Sequence, residues 1–260
     1  MKPLVALTER SPLAAQVAAF LLRGRGGSPI DLGDTLVLIP TAGAGRAIRR
    51  ELSKKGVLSP QFRLPMDALV PRNLLVASRL EREAAWATLL NPDDRQRFAS
   101  LVPKIVPLDL PDDRFGVAER LCRVCDQLAE AGLDPSSPNL AVKLEEDARR
   151  WEAFGTLYAE YLALLSKHGL HDPNVVRIEQ ATNPFVPSEL KRVIVACIPD
   201  LAPILETYLK SLENKGIDVA VLAWSPADEG KHLDAMGRPD PAWWRSHMPE
   251  LTEEMIVVEN

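Results

Sequence analysis

Residues 34–50 read Asp-Thr-Leu-Val-Leu-Ile-Pro-Thr-Ala-Gly-Ala-Gly-Arg-Ala-Ile-Arg-Arg. An uninterrupted apolar run, Leu36 to Ile39, enters a turn of small residues, Ala42 to Gly45, and leaves as a basic, helix-favouring segment. A strand apolar on every position needs cover on both of its faces, and parallel sheets clad in helices supply that cover. The same order returns twice. Leu4-Val5-Ala6-Leu7 precedes a helical stretch to about Leu22, with Ser11 as its cap and Pro12 at its first position. Arg192 to Ile198 precedes a helix over Leu201–Asn214, with Pro203 in its first turn, and then a strand over Asp218–Trp224. Alternation of strand and helix predicts an α/β fold with a parallel sheet.

Between these parts the pattern changes. Ser59 to Pro71 contains three prolines and is expected to be an irregular connection. From about Arg72 the chain is predicted mostly helical. Helices are expected over Arg82–Leu90, over Arg114–Ala131 with Ala118, Leu121, Cys125 and Leu128 inward, and over Val142–His168. The stripe of the last is Leu144, Ala148, Trp151, Phe154, Tyr158, Leu162 and Leu165. The resulting division is α/β over 1–71, a helical insertion over 72–185 and α/β again over 186–260, closing on a strand-like Met255 to Val258.

The strand–turn–helix at 34–50 has the layout of a phosphate-binding loop, whose pattern is G-x-x-x-x-G-K-[ST]. Laid over residues 40–47, Pro40 takes the place of the first Gly and Gly45 that of the last. Arg46 replaces the Lys and Ala47 replaces the Ser or Thr. The candidate nucleotide or anion set is therefore Thr41, Gly43, Gly45, Arg46 and Ala47. Pro40 has no N–H to offer a phosphate, and Ala47 has no oxygen for Mg²⁺. The layout is kept without the groups that phosphoryl transfer needs.

Charge is uneven along the chain. The whole carries −5, yet residues 1–63 hold 10 Lys/Arg against 4 Asp/Glu, a net of +6. Arg46 and Arg50 stand four apart on one helix face, at the end where the helix dipole also favours anions. Arg46, Arg49, Arg50 and Lys54 are the candidate DNA contacts. The competing reading is a solvated face with Glu51 paired to Lys55. Three Cys in 260 residues point to a reducing compartment. No apolar run approaches the about 20 residues of a membrane span, and Glu9 and Arg10 interrupt any secretory leader. The cytoplasm and no membrane partner are expected. Cys122-Arg-Val-Cys125 lies mid-helix, where burial explains it better than redox chemistry. His168 and His171 with Asp172 follow the end of a helix and suit capping rather than a metal. Trp243 and Trp244 anchor the tail more readily than they stack on bases. No cofactor and no metal centre are expected.

The order of these pieces resembles superfamily 1 helicases, in which a helical subdomain interrupts a RecA-like P-loop NTPase sheet with helices on both faces. It resembles most the N-terminal, inactivated helicase-like region of the AddB/RexB subunit of AddAB-type helicase–nucleases. The matching residues are Val37-Leu38-Ile39-Pro40-Thr41 with the turn after it, and the Trp151 helix with His171-Asp172-Pro173. They continue with Val193-Ile194-Val195-Ala196 and with Leu233-Asp234-Ala235-Met236-Gly237-Arg238-Pro239 followed by Trp243 or Trp244. The resemblance implies a second nucleotide motif, an apolar strand ending in Asp-Glu-x-x-Asp. Here Ala196 and Cys197 stand for that Asp and Glu, Pro199 for a Gln, and Asp200 alone remains. It implies a non-catalytic scaffold in recombinational double-strand break repair, contacting DNA and an AddA-type partner subunit. Two other readings stay open: a divergent NTPase in which Arg46 acts as the P-loop Lys, and a protein-interaction module without DNA binding. Family members are several times longer and carry a nuclease domain with an iron–sulfur cluster, so the chain is expected to be an N-terminal piece or a truncated homologue.

Overall fold

A computed structural model describes residues 4–7, 11–102, 106–137, 145–225 and 231–247. The expected terminal strand at 255–258 and Leu144 of the helical stripe lie outside the described residues. The chain divides into two compact units. One comprises 1–68, 186–201 and 212–260; the other comprises 69–185 with 202–211.

The first unit is built on five parallel strands. They are β1 (Val5–Leu7), β3 (Thr35–Leu38), β5 (Gln61–Arg63), β6 (Arg192–Ala196) and β7 (Asp218–Trp224), in the order β1-β7-β6-β3-β5. A separate two-stranded parallel ribbon pairs β2 (Ile30–Asp31) with β4 (Val57–Leu58). The strands foreseen around 36–39, 193–198 and 218–224 are neighbours in one sheet: Leu38 pairs with Val195, and Val195 with Val221. Helices α1 (Leu13–Leu22) and α2 (Ala42–Ser53) share a core with one sheet face, through Val17, Leu21, Ile48 and Leu52 against Val37, Ile39, Ile194 and Leu222. Alternate positions Leu36, Leu38, Val193, Val195 and Val219 are buried as well. Burial on both parities is what the unbroken apolar strands demanded.

Several local readings need correction. Ser11 does not cap α1; Pro12 occupies the cap position, with no side-chain hydrogen bond there. The stretch 59–71 is not irregular throughout. It holds β5 and a short helix α3 (Pro65–Ala68). The prolines flank these elements instead of breaking them, and a proline at the start of a helix is tolerated because its missing N–H has no partner there. The strand at 192 stops at Ala196, because Cys197 adopts φ 53 and leaves the pleat.

The helical unit contains α4 (Arg79–Leu89), a 3₁₀ segment (Pro92–Phe98), α5 (Pro111–Glu130), α6 (Glu145–Lys167) and α7 (Pro173–Thr182). Helix α4 starts earlier than its apolar pattern suggested. Ser78 and Glu81 form a capping box: the Glu81 N–H donates to Ser78 Oγ at 3.3 Å and the Ser78 N–H to Glu81 Oε2 at 2.7 Å. The core of this unit gathers Trp86, Phe98, Ala118, Leu121, Cys125, Phe154, Tyr158, Tyr161 and Leu165. Ala148, expected inward on α6, is exposed, while Leu157 and Tyr161 are buried. The inward stripe is thus 154, 157, 158, 161 and 165. Trp86 stacks on Tyr161, with centroids 4.4 Å apart and planes 8° from parallel.

A polar knot ties four helices of this unit together. Arg82 on α4 is buried. It donates to Asp126 of α5 at 2.8 Å and lies 3.4 Å from Asp172, which also accepts from the Tyr161 hydroxyl on α6. Asp172 further accepts from the N–H groups of Asn174 and Val175, so it is the N-cap of α7, with Pro173 at its first position. Burial alone would lower the Arg82 pKa; the charge of Asp172 and the bond to Asp126 outweigh it and hold the guanidinium charged. Helix α8 (Pro203–Asn214) connects β6 to β7, and α9 (Pro241–His247) follows the loop at 233–239.

Candidate anion and nucleic-acid site at the carboxyl edge of the sheet

The strand order fixes where a ligand can sit. From β3 the chain steps to β5 on one side; from β6 it steps to β7 on the other. The loops that leave the carboxyl ends of these adjacent strands therefore diverge. Open α/β sheets hold ligands in the crevice at such a topological switch point. The register brings Leu38 level with Val195, so the turn at Ile39–Thr41 and the turn at Cys197–Asp200 begin side by side. The two segments that resemble damaged nucleotide motifs thus meet at one place.

Their side chains define what the crevice can do. Thr41 is the N-cap of α2; its Oγ1 accepts from the Ala44 N–H at 3.1 Å. The Gly45 N–H bonds the Thr41 carbonyl at 3.2 Å. The Ala42 and Gly43 N–H groups of this first turn carry no hydrogen bond among the described residues. The Arg46 side chain folds back over that turn, with Nη2 3.8 Å from where a Cβ on Gly43 would stand. Gly45 has a different task. A Cβ there would come within 2.6 Å of Ile39 Cδ1 and 3.8 Å of Phe62, so its bare backbone lets α2 lie close on β3 and β5. Ala47 is half-buried and offers no polar atom.

On the β6 side, Ala196 is buried and Cys197 is a free, partly buried thiol whose pKa burial pushes up to about 11. Asp200 is the one carboxylate of that turn and is exposed. Among the described residues no three His, Cys, Asp or Glu gather as metal ligands do.

The basic candidates separate by their surroundings. Arg49 sits over the Phe62 ring, 5.0 Å from its centroid, and is directed to the β5 edge. Lys54 pairs with Glu51 at 2.7 Å, one residue short of the Glu51–Lys55 pair expected from helical spacing. Arg25, in the loop after α1, grips Asp34 through two nitrogens at 2.9 and 3.0 Å, and that bond holds the Asp34 carboxyl below its usual range. Arg46 and Arg50 are exposed, and their guanidinium groups make no ion pair or hydrogen bond among the described residues. Of the four basic candidates, Arg46 alone stands unpaired beside the crevice among the described residues; Arg50 shares its helix face but lies in the last turn of α2, so the expectation that placed both at the anion-favouring end holds for Arg46 only.

The remaining motifs are structural in this fold. His171 joins Val76 in a parallel bridge through its backbone, and Asp172-Pro173 starts α7. Cys122 and Cys125 are buried; burial pushes the Cys122 thiol up to about 12 and Cys125 higher still. In the loop 233–239, the Asp234 carboxylate accepts from the N–H groups of Met236 and Arg238 and from Arg238 Nε. Gly237 takes φ 77, and a Cβ there would stand 3.1 Å from the Cβ of Ala223. Trp243 packs near His232, with centroids 5.6 Å apart. Sequence reasoning missed Phe62 and the capping by Thr41. Thr41 three residues ahead of Ala44 was the available signal.

The class defined by these observations is an α/β domain with an open, all-parallel sheet whose strand order reverses between β3 and β6. No protein-family model matches the chain, and no curated protein matches it. No helix among the described residues is long and apolar enough to cross a membrane.

Proposed function

We propose that the chain is a non-catalytic, helicase-derived P-loop domain that contacts DNA and a partner subunit of a helicase–nuclease in recombinational double-strand break repair. One observation carries the reading: the switch-point crevice joins the turn before α2 to the turn after β6, and it is furnished for an anion but not for a metal. Unbonded N–H groups at the start of α2 and the Arg46 guanidinium present positive potential to a phosphate. Ala47, Ala196 and Cys197 supply no ligand for Mg²⁺, a hard cation that takes oxygen. Without metal, neither the positioning nor the charge neutralisation of phosphoryl transfer is available. The divergent-NTPase reading uses the same Arg46 and meets the same want of a metal ligand. The order of motifs resembling AddB/RexB supports the repair role and the AddA-type partner.

Two assays test this. Purified protein is expected to show no DNA-stimulated ATP hydrolysis above an Arg46→Ala control. Turnover that Arg46→Ala abolishes contradicts the proposal. Weak DNA binding, about 10⁻⁴ to 10⁻⁶ M near physiological salt, is expected alongside. Absence of binding even at low salt favours the protein-interaction module.

A further inference from the structure

The amino edge of the sheet, opposite the crevice, carries a second cluster of cations. Strands β3, β6 and β7 begin there, with Thr35 paired to Arg192 and Arg192 to Asp218. Helix α1 ends beside them, and Arg192 Nη1 donates to the Leu21 carbonyl at 3.4 Å. The Phe20 ring of α1 has two guanidinium groups against it, Arg192 at 5.1 Å and Arg23 at 5.4 Å from its centroid. Lys191 precedes Arg192, and its N–H donates to the Asp34 carbonyl. All of these residues belong to the sheet-bearing unit. Arg23, Arg25, Lys191 and Arg192 outnumber Asp34 and Asp218, and Arg25 already holds both oxygens of Asp34. Among the described residues Arg23, Lys191 and Arg192 make no ion pair. Arg192 is half-buried, and burial lowers its pKa; Arg25 adds to that effect, against the charges of Asp218 and Asp34. A guanidinium is all donors, so the bond to Leu21 leaves most of the Arg192 fork unused.

We propose that this amino-edge patch docks an acidic segment of a partner protein, one carboxylate against Arg192 and Arg23 and a second against Lys191. The inference rests on the partner-contacting half of the reading above and gives that half a place and a chemistry; the DNA half does not enter it. The guanidinium fork matches a carboxylate through two parallel hydrogen bonds, and a ring beside the guanidinium holds it for that geometry. A carboxylate arriving between Arg23, Arg25 and Arg192 also relieves their mutual repulsion, which is strongest where water is partly excluded. The size of the patch decides between an acidic peptide and a nucleic acid. It is compact, and the chain around it is acidic, with a net charge of −5. A long polyanion that overran the patch would meet repulsion on both sides. A short acidic segment covers the cations and nothing else.

The test compares the full chain with Arg23→Glu/Lys191→Glu and with Arg192→Lys, by fluorescence anisotropy at low salt. The probes are a short labelled peptide rich in Glu, the same peptide with every Glu replaced by Gln, and a labelled single-stranded oligonucleotide. Wild type is expected to bind the Glu peptide and not the Gln peptide. Arg23→Glu/Lys191→Glu should weaken the Glu peptide by about tenfold or more, since like charges then face each other. Arg192→Lys keeps the charge and loses the fork, and should weaken it severalfold. Both substituted proteins should keep the wild-type thermal midpoint, because Arg23 and Lys191 are exposed and Arg192→Lys is conservative. Equal binding of the Glu peptide by wild type and Arg23→Glu/Lys191→Glu overturns the proposal, as does equal binding of the Glu and Gln peptides. If the oligonucleotide displaces the peptide and itself loses affinity in Arg23→Glu/Lys191→Glu, the patch belongs to nucleic acid and the proposal is wrong. If wild type binds no peptide at all, the patch is a solvated face; the DNA-contacting and partner-contacting reading then still stands, since neither contact needs this edge.

Discussion

At the scale of single residues, the two tyrosines of α6 behave oppositely. Tyr161 donates to Asp172 within the buried Arg82 knot, whereas the Tyr158 hydroxyl is buried with no hydrogen-bond partner among the described residues. A buried unsatisfied hydroxyl costs about 1–3 kcal/mol. Tyr158→Phe is therefore expected to leave stability unchanged or raise it by up to about 1 kcal/mol, and Tyr161→Phe to lower it by about 1–3 kcal/mol. Arg82→Ala should cost more, about 3–5 kcal/mol, because it strands the Asp172 carboxylate in the interior. Urea unfolding of the three variants measures all of this. Little of the knot was legible beforehand. Asp172-Pro173 announces a helix start by its chemistry, but nothing in the local pattern couples it to an arginine 90 positions earlier. The CxxC was legible for a simple reason: its mid-helix position already argued for burial. Arg46 and Arg50 were separable from Arg49 and Lys54 only once Phe62 and Glu51 were in place.

At the scale of elements, the strands and long helices followed from composition and period, and the errors sit where side chains compete with the period. Helix α4 begins at Arg79 because the Ser78–Glu81 capping box satisfies its first N–H groups. Ser78→Ala should lower stability by about 1 kcal/mol. Strand β5 could not be read from Gln61-Phe62-Arg63, which is too short to show alternation. It exists because β3 needs a neighbour on that edge and Phe62 meets the bare Gly45 of α2. Gly45 tests this packing in graded steps. Gly45→Ala gains up to about 1 kcal/mol of helix propensity, offset by the shift it forces on the movable end of Ile39. Gly45→Leu is expected to cost about 1–3 kcal/mol by overpacking between α2 and the sheet. Thermal unfolding of the pair separates a packing role from a role in phosphate binding. A purely phosphate-binding Gly45 would tolerate the leucine without loss of stability.

At the scale of the whole molecule, pH and salt report on different charges. Burial first, then the negative charge of Asp172, raises the pKa values of Tyr158, Tyr161 and Cys125; for Cys122 burial is again the main cause. A group whose folded pKa is raised contributes stability fully below its unfolded pKa and loses it as pH rises through the folded value. Stability should hold to about pH 8.5, the ordinary thiol value, and fall above it. Asp34, whose pKa the Arg25 bond lowers, has the opposite sign: its contribution is present above about pH 4 and is lost as acid protonates it. Denaturant midpoints across pH 3–11 check both limbs. Salt speaks to function. The central claim is that an anion crevice at the β3–β6 switch point, with Arg46 at its mouth and Arg50 farther along α2, is what the chain offers to nucleic acid. The most direct measurement is the salt dependence of single-stranded DNA affinity for wild type and for Arg46→Ala/Arg50→Ala. Each phosphate neutralised contributes about −0.7 to the slope of log affinity against log salt for a single strand. The account predicts a shallow wild-type slope of about −2, falling by about 1.4 in the double variant. Wild type and variant sharing one slope would contradict it.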